Sequence, residues 1–399
     1  MRSRRDAFRK ERTMLRIGEE EVKAVRRVVK SGMPFRYRGG SECARFEERY
    51  GKYLGVKHVV QTSSGTVALT AALMALEIGP GDEVIVPAHT FMASAISVLS
   101  VGAIPVIVDI DESIGIDPDA IDDAVGPQTR AVMPCHMWGL ACDMRRIMHV
   151  ARKHKLLVVE DACQAVGGGY EGKMLGAIGH VGAFSFNFYK NMTCGEGGAV
   201  VTNNGRLLNR LQCAIDCCRF YWTGRDKDFR GFVCTGARPS EFEGAMLNAQ
   251  LSRLPAMIRT LRKQKKRILK ATADVVRSAP VNSLDYECGT TNHFRFDTPG
   301  QAERFAQLVG GTVLSKTGRH NYTEWDPILA HRGAHHPALN PFNLPQNRKC
   351  RKRYSKTMCK RSLDILARTV AVGNHPDRKA KDVTALIRKI KEAAKGVGA

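Results

Sequence analysis

From residue 58 to about residue 202, short runs of Val, Ile and Leu alternate with longer stretches of helical periodicity. HVVQT, DEVIVPA, IPVIVDI, TRAVMPCHM, LLVVEDAC and VGAFSFNFYK read as strands, and their nearly continuous apolar character is what burial on both faces of a sheet demands. Between them, VALTAALMALEIGPG predicts a helix with a glycine stop, TFMASAISVLSVG a second, DPDAIDDAV a short one with an aspartate start, and MRRIMHVARKHK a fourth. Upstream, EEEVKAVRRVVKSG and CARFEERYGKYLG predict helices ended by Gly32 and Gly55. After VGAFSFNFYK comes a tight GEGG turn and a further strand, AVVTNN. The alternation predicts an α/β fold with a largely parallel sheet, covered on both sides, whose active groups lie at strand ends.

Beyond this core, LNAQLSRLPAMIRTLRKQKKRILKATADVVRSA predicts one long helix or two joined ones. HFRFDT reads as a strand, QAERFAQLVGG as a helix, residues 318–347 as a loop rich in His, Pro and Asn, and the remainder as two helical stretches. The resulting division is an N-terminal helical segment (1–32), a large α/β domain (33–250), a connecting helix (251–280) and a smaller α+β domain (281–399). No internal repeat or heptad pattern is present.

The 399 residues are 43% hydrophobic, enough for a large core or two packed domains. The formal charge of +23 is concentrated in MRSRRDAFRKER and NRKCRKRYSKTMCKR. It would attract phosphorylated or carboxylated molecules without choosing among them. The late run reads as a solvated helix face, with attraction of an anionic substrate as the alternative; nucleic acid is disfavoured because no zinc finger or RNA-binding aromatic motif accompanies it. Arg and Glu interrupt the opening residues, so neither a membrane span nor a signal peptide is expected, and a cytoplasmic location is. The twelve cysteines sit mostly in apolar segments and read as reduced thiols. Cys213, Cys217 and Cys218 form no CxxC pair, and no metal site is expected.

Three stretches carry candidate chemistry. In VVEDACQA an apolar strand ends in Glu160 and Asp161, which either deliver a carboxylate to the functional edge or serve as helix caps. In QTSSGTVAL the hydroxyls of Ser64 and Thr66 flank Gly65 at a helix start, forming either a phosphate cradle or an ordinary cap. NFYKNMTCGEGGAV places Lys190 beside Phe188 and Tyr189 at a strand end, as a nucleophilic amine or a surface lysine. Together they meet the demands of pyridoxal phosphate, which needs a lysine for its aldehyde, an acid for its ring nitrogen and a cradle for its phosphate.

The order SSGTxAL, PxxTFxA, VxEDACQA and FSFxxxKxxTCGEGGAVVT resembles the DegT/DnrJ/EryC1/StrS family of pyridoxal-phosphate sugar aminotransferases. The resemblance runs from about 33 to 250 and continues more weakly to the end. It implies fold type I, with a mostly parallel seven-stranded sheet and a smaller C-terminal domain. GMPFRYRGG and CGEGGAVVTNN look most like enzymes that aminate an eight-carbon ulosonic acid, of the 8-amino-3,8-dideoxy-octulosonate type, or another sugar. By position, the resemblance makes Lys190 the residue that holds the cofactor, Asp161 the partner of its ring nitrogen, and Gln164 a contact of its phenolic oxygen. Gly65, Thr66 and Ser185 fall on phosphate-binding positions, beside the Ser64 hydroxyl already counted toward the cofactor, Phe91 on the aromatic that covers the ring, and Arg238 on a cofactor-binding position.

The family's usual GxNxRxSE is CTGARPSE in this chain, so Gly236 replaces an Asn that reaches the neighbouring subunit's cofactor. Arg225, Arg230 or Arg238 could compensate. In RHNYTEWDPILAHRGAHHP, which contains His320, His331, His335 and His336, the resemblance makes His320, Tyr322 and Trp325 substrate candidates. It further implies a homodimer with active sites between subunits, glutamate or glutamine as amino donor, and an anionic keto or aldehyde sugar, sugar nucleotide or cyclitol as acceptor. Two alternatives stay open: a sugar dehydratase using the same cofactor, and a silent relative with a binding role.

Overall fold

The computed structural model describes residues 14–224 and 229–398. Its strands are β1 (His58–Thr62), β2 (Glu83–Pro87), β3 (Ile104–Val108), β4 (Thr129–Val132), β5 (Leu157–Asp161), the short pair β6 (Gly169–Tyr170) and β7 (Lys173–Met174), β8 (Val181–Ser185), β9 (Gly198–Thr202), β10 (Thr291–Arg295), β11 (Thr312–Val313) and β12 (Thr369–Gly373). Seven form one sheet in the order β1-β9-β8-β5-β4-β2-β3. Neighbours are parallel except that β9 runs against both β8 and β1. The fold is therefore the fold type I arrangement expected from the sequence. The carboxyl ends of β1, β2, β5 and β8 open on the same edge.

Alternate residues of each strand feed different cores, which is why the runs read as continuously apolar. Ile85, Val132, Val158 and Val201 enter one layer with Phe46, Phe184 and Phe186. Val84, Val86, Ala131, Val159 and Val200 enter the other, against the helix Gly65–Ala75 and the segment around Tyr322 and Trp325. A three-stranded antiparallel sheet, β10-β12-β11, lies under the helices Pro299–Val309 and Ala380–Lys395, with Phe294, Phe305, Val370 and Ile390 at its centre.

Gly32 and Gly55 end their helices in the left-handed region, at φ 65° and 71°. The helix Gly65–Ala75 instead stops on Leu76, and Glu77, not a glycine, takes the left-handed turn at φ 59°. Downstream, Glu241–Leu251 and Leu254–Thr272 are two helices, the second with a proline in its first turn. The Glu241 carboxylate is buried against the start of helix Glu42–Leu54, where it accepts bonds from the Ser41 hydroxyl and the Glu42 and Cys43 N–H groups at 2.5, 2.5 and 3.2 Å. An acid at that helix start is favoured by the dipole.

The late basic run differs from the expected helix face. Residues 350–359 form a strap without helix, and a helix begins only at Lys360. Arg351 is clamped on buried Glu83, the Tyr354 hydroxyl donates to the Pro105 carbonyl at 2.7 Å, and Arg361 pairs with Asp117 at 2.5 Å. Packing against the edge of the sheet, rather than helical periodicity, fixes this segment.

Candidate active site

At the carboxyl edge lies a cavity of about 550 Å³, lined by Ser64, Gly65, Thr66, Asp161, Ser185 and Lys190 among others. Strand register explains the floor. Successive residues of β5 point to opposite faces, so adjacent acids have different fates. Glu160 turns away and accepts N–H bonds from Gly176, Ile178 and Gly179 at 2.8, 2.6 and 2.5 Å, with His136 Nε2 at 3.1 Å. Asp161 faces the cavity. Its Oδ2 accepts the Ser94 hydroxyl at 2.7 Å and its Oδ1 the Cys163 N–H at 3.1 Å, which fixes the plane of the carboxylate.

Ser64 caps the helix Gly65–Ala75, its Oγ accepting the Val67 N–H at 3.2 Å. The first-turn N–H groups of Gly65 and Thr66 lack carbonyl partners within the helix, as at any helix start. Gly65 is demanded by close approach: a Cβ there would lie 2.7 Å from the Ser185 Cβ and 2.9 Å from the Cys163 sulfur. The helix start thus rests directly on the end of β8, and cap and cradle coexist.

Lys190 is not on a strand end. β8 stops at Ser185, and the lysine sits in the following loop, where Asn187 organises a turn by accepting the Tyr189 N–H on Oδ1 at 3.0 Å and the Lys190 N–H on its carbonyl at 3.0 Å. The loop returns through Gly195 to β9, so a hairpin-like excursion presents the amine. Gln164 lines the cavity and accepts the Trp138 N–H at 3.3 Å. Phe91 lines it too, 37% exposed, with its ring 6.0 Å from that of His320.

The other residues singled out divide sharply. His320 lines the cavity; burial, aided by the charges of Arg319 and Lys190, pushes its pKa down to about 4. Tyr322 and Trp325 do not reach it. Both are fully buried: the Tyr322 hydroxyl donates to the Lys356 carbonyl at 2.9 Å, and the Trp325 indole donates to the Arg319 carbonyl at 3.1 Å. They anchor from behind the turn that carries Arg319 and His320. His331 stacks on Phe342, while His335 and His336 are exposed. Among the described residues no group of three or more His, Cys, Asp or Glu side chains could hold a metal ion.

Arg238 is outside the cavity lining and pairs at 3.0 Å with Asp216, which also accepts the Tyr37 hydroxyl at 2.8 Å. Gly236 faces open space within this chain and Arg230 is exposed; Arg225 lies outside the described residues.

Trp138 is a cavity residue that pattern reading misses. It adopts φ 58°, is tied down by Thr290 donating to its carbonyl at 2.7 Å, and donates its indole N–H to His89 Nε2 at 2.9 Å. The Asn321 amide nitrogen donates to two carbonyls, so its oxygen accepts from His89 Nδ1, which fixes the His89 tautomer. Burial keeps that imidazole neutral, with its pKa lowered to about 3. Thr290 and Thr291, before and at the start of β10, complete this wall. The only sequence signal was Gly139, where the left-handed backbone continues at φ 78°.

A seven-stranded sheet with one reversed strand, and a lysine, an acid and a helix start converging at its carboxyl edge, define a fold type I transferase. The chain belongs to the DegT/DnrJ/EryC1/StrS aminotransferase family, whose model matches residues 15–391. It is 45% identical over 188 residues to the GDP-perosamine synthase of Caulobacter vibrioides, a match covering 46% of this chain and 51% of that protein. The aligned part thus spans about half of that relative's length. It is 36% identical over 338 residues to the L-glutamine:2-deoxy-scyllo-inosose aminotransferase of Streptomyces kanamyceticus, covering 80% and 75%. The X-ray structure of an aminotransferase from Psychrobacter cryohalolentis superposes with a TM-score of 0.77 at 26% identity, covering 96% of this chain and 98% of that one.

Proposed function

We propose that this chain is a pyridoxal-phosphate-dependent aminotransferase that moves an amino group from glutamate or glutamine to a keto or aldehyde group of a sugar, sugar nucleotide or cyclitol. The observation that carries the proposal is the meeting of Lys190, Asp161 and the helix start at Ser64–Thr66 in one cavity. Family membership supports it, as do the sugar and cyclitol names of the relatives. A homodimer with its sites between subunits is part of the same reading, and the exposure of Gly236 and Arg238 on this chain is compatible with a second copy there.

The cavity residues fit the cofactor. The absent Cβ at Gly65 lets the helix start sit against the end of β8, so that its first-turn N–H groups and the hydroxyls of Ser64, Thr66 and Ser185 gather in one place suited to a phosphate. Asp161, its carboxylate plane set by the Ser94 hydroxyl and the Cys163 N–H, would pair with the ring nitrogen and favour a proton there. Phe91 would cover one ring face and Gln164 would meet the phenolic oxygen. When bound, pyridoxal phosphate supplies an electron sink for the charge left at a substrate carbon on proton loss. Lys190 would take that proton from the donor's Cα and return one to the acceptor's carbon in the second half-reaction. Leu69, Phe91, Ala93 and Trp138 line the cavity with apolar surface that limits water around the amine.

Lys190→Ala tests the reading. Amino transfer from glutamate or glutamine should fall on the order of 10⁴-fold, with unchanged circular dichroism and loss of the visible absorbance of lysine-bound cofactor. Retained absorbance and activity would remove Lys190 from the chemistry.

A further inference from the structure

Among the described residues, the Arg319 guanidinium on the cavity wall has no ion-pair counterpart. Arg319 lines the cavity with its guanidinium 5.5 Å from the centre of the Phe91 ring. Among the described residues no carboxylate lies within ion-pair distance of it. Asp161 is already engaged by Ser94 and Cys163.

The turn bearing Arg319 is fastened on every side. The Arg319 carbonyl accepts the Trp325 indole at 3.1 Å, the His320 carbonyl accepts the Thr90 N–H at 3.0 Å, and Asn321 bonds His89 at 2.8 Å. The buried tryptophan thus fixes the backbone of Arg319, while the guanidinium of this exposed residue rests on an aromatic face at the cavity rim. Its planar fork matches a carboxylate in two parallel bonds. The neighbouring His320 is held neutral, so it adds a polar edge without a competing charge.

Resting on the aminotransferase reading above, we propose that Arg319 is a specificity-determining residue that receives a carboxylate of the substrate. The same chemistry could come from a sugar acid as acceptor or from the amino acid donor.

Calorimetric binding to the cofactor-loaded protein separates these sources. The probes are D-glucuronate, glutarate and neutral D-glucose, applied to wild type, R319Q and R319K. R319Q should weaken a carboxylate probe about tenfold, R319K less, and glucose not at all. Weakening confined to glucuronate assigns the site to the acceptor, weakening confined to glutarate assigns it to the donor, and weakening of both makes it a shared subsite. Unchanged affinity of R319Q for both acids overturns the proposal, as does an equal loss for glucose. Release of the cofactor from R319Q without a change in probe binding also overturns it, because the guanidinium would then serve the cofactor. Probe binding requires no turnover, so carboxylate binding through Arg319 without amino transfer would refute the functional reading and leave the anion site standing.

Discussion

The cavity has a floor and a wall of different construction. The floor is made of strand ends and one helix start: Asp161, Ser185 and Ser64–Thr66 stand where β5, β8 and β1 deliver them. Its geometry follows from pleat and register, which local sequence encodes. The wall, with Trp138, Thr290, Arg319 and His320, comes from connections between distant segments. Its geometry follows from bonds such as Asn321 to His89 and Trp138 to His89, between residues that no period links. Floor residues should therefore be sensitive to which face they occupy, and wall residues to the partners behind them.

The largest break in this comparison is expected within the floor. Asp161→Asn removes the charge facing the cavity and should lower amino transfer on the order of 10²-fold or more, with little change in melting temperature. Glu160→Gln, one residue away, should do the opposite, retaining most activity while costing about 1.5–3 kcal/mol of stability, because its carboxylate holds three N–H groups in the turn 176–179. Denaturant unfolding and steady-state rates on the same two variants decide it. Equal effects on both quantities would mean that strand alternation does not separate the two roles.

The wall should be sensitive to acid. His89 is buried neutral, with a folded pKa near 3 against an ordinary value of 6.5. A histidine with a depressed pKa contributes stability that is fully present above about pH 6.5 and is lost as the pH falls toward 3, since the unfolded chain takes up the proton first. Denaturant midpoints should decline across that window, and less steeply in His89→Gln. Parallel slopes for the two proteins would remove His89 from the account.

The smallest effect belongs to the brace behind the wall. Trp325→Phe keeps a buried aromatic ring but deletes the indole N–H and part of the packed volume, costing about 1–3 kcal/mol of stability with only a small effect on rate. It should raise KM more than it changes kcat, by disturbing Arg319. A fall in kcat alone would mean that the turn contacts the reacting atoms directly.

The same contrast explains what the sequence made legible. The seven large-sheet strands were readable because burial on both faces leaves unbroken Val and Ile runs, and Asp161 was readable because it ends one. β11 and β12 were missed: TVAVG follows the helix Lys360–Ala367 so closely that the two merge into one helical stretch by pattern. Tyr322 and Trp325 read as substrate candidates because a polar-tipped aromatic in a His-rich loop looks exposed, whereas a backbone carbonyl satisfies each tip, Lys356 for the tyrosine and Arg319 for the tryptophan. Trp138 was invisible because its left-handed backbone is imposed by Gln164 and Thr290.

The reversed strand β9 also constrains the route to the native state. β1 has a single hydrogen-bonded neighbour, and it is β9, with Thr62 opposite Gly198. During synthesis, β1 emerges early and has no ladder partner until the Lys190 hairpin has been translated. Closing so long an intervening chain is slow relative to local pairing. The phosphate cradle at the end of β1 and the lysine between β8 and β9 are therefore joined through the same late pairing, and a nascent chain halted before residue 198 lacks the strand that links them.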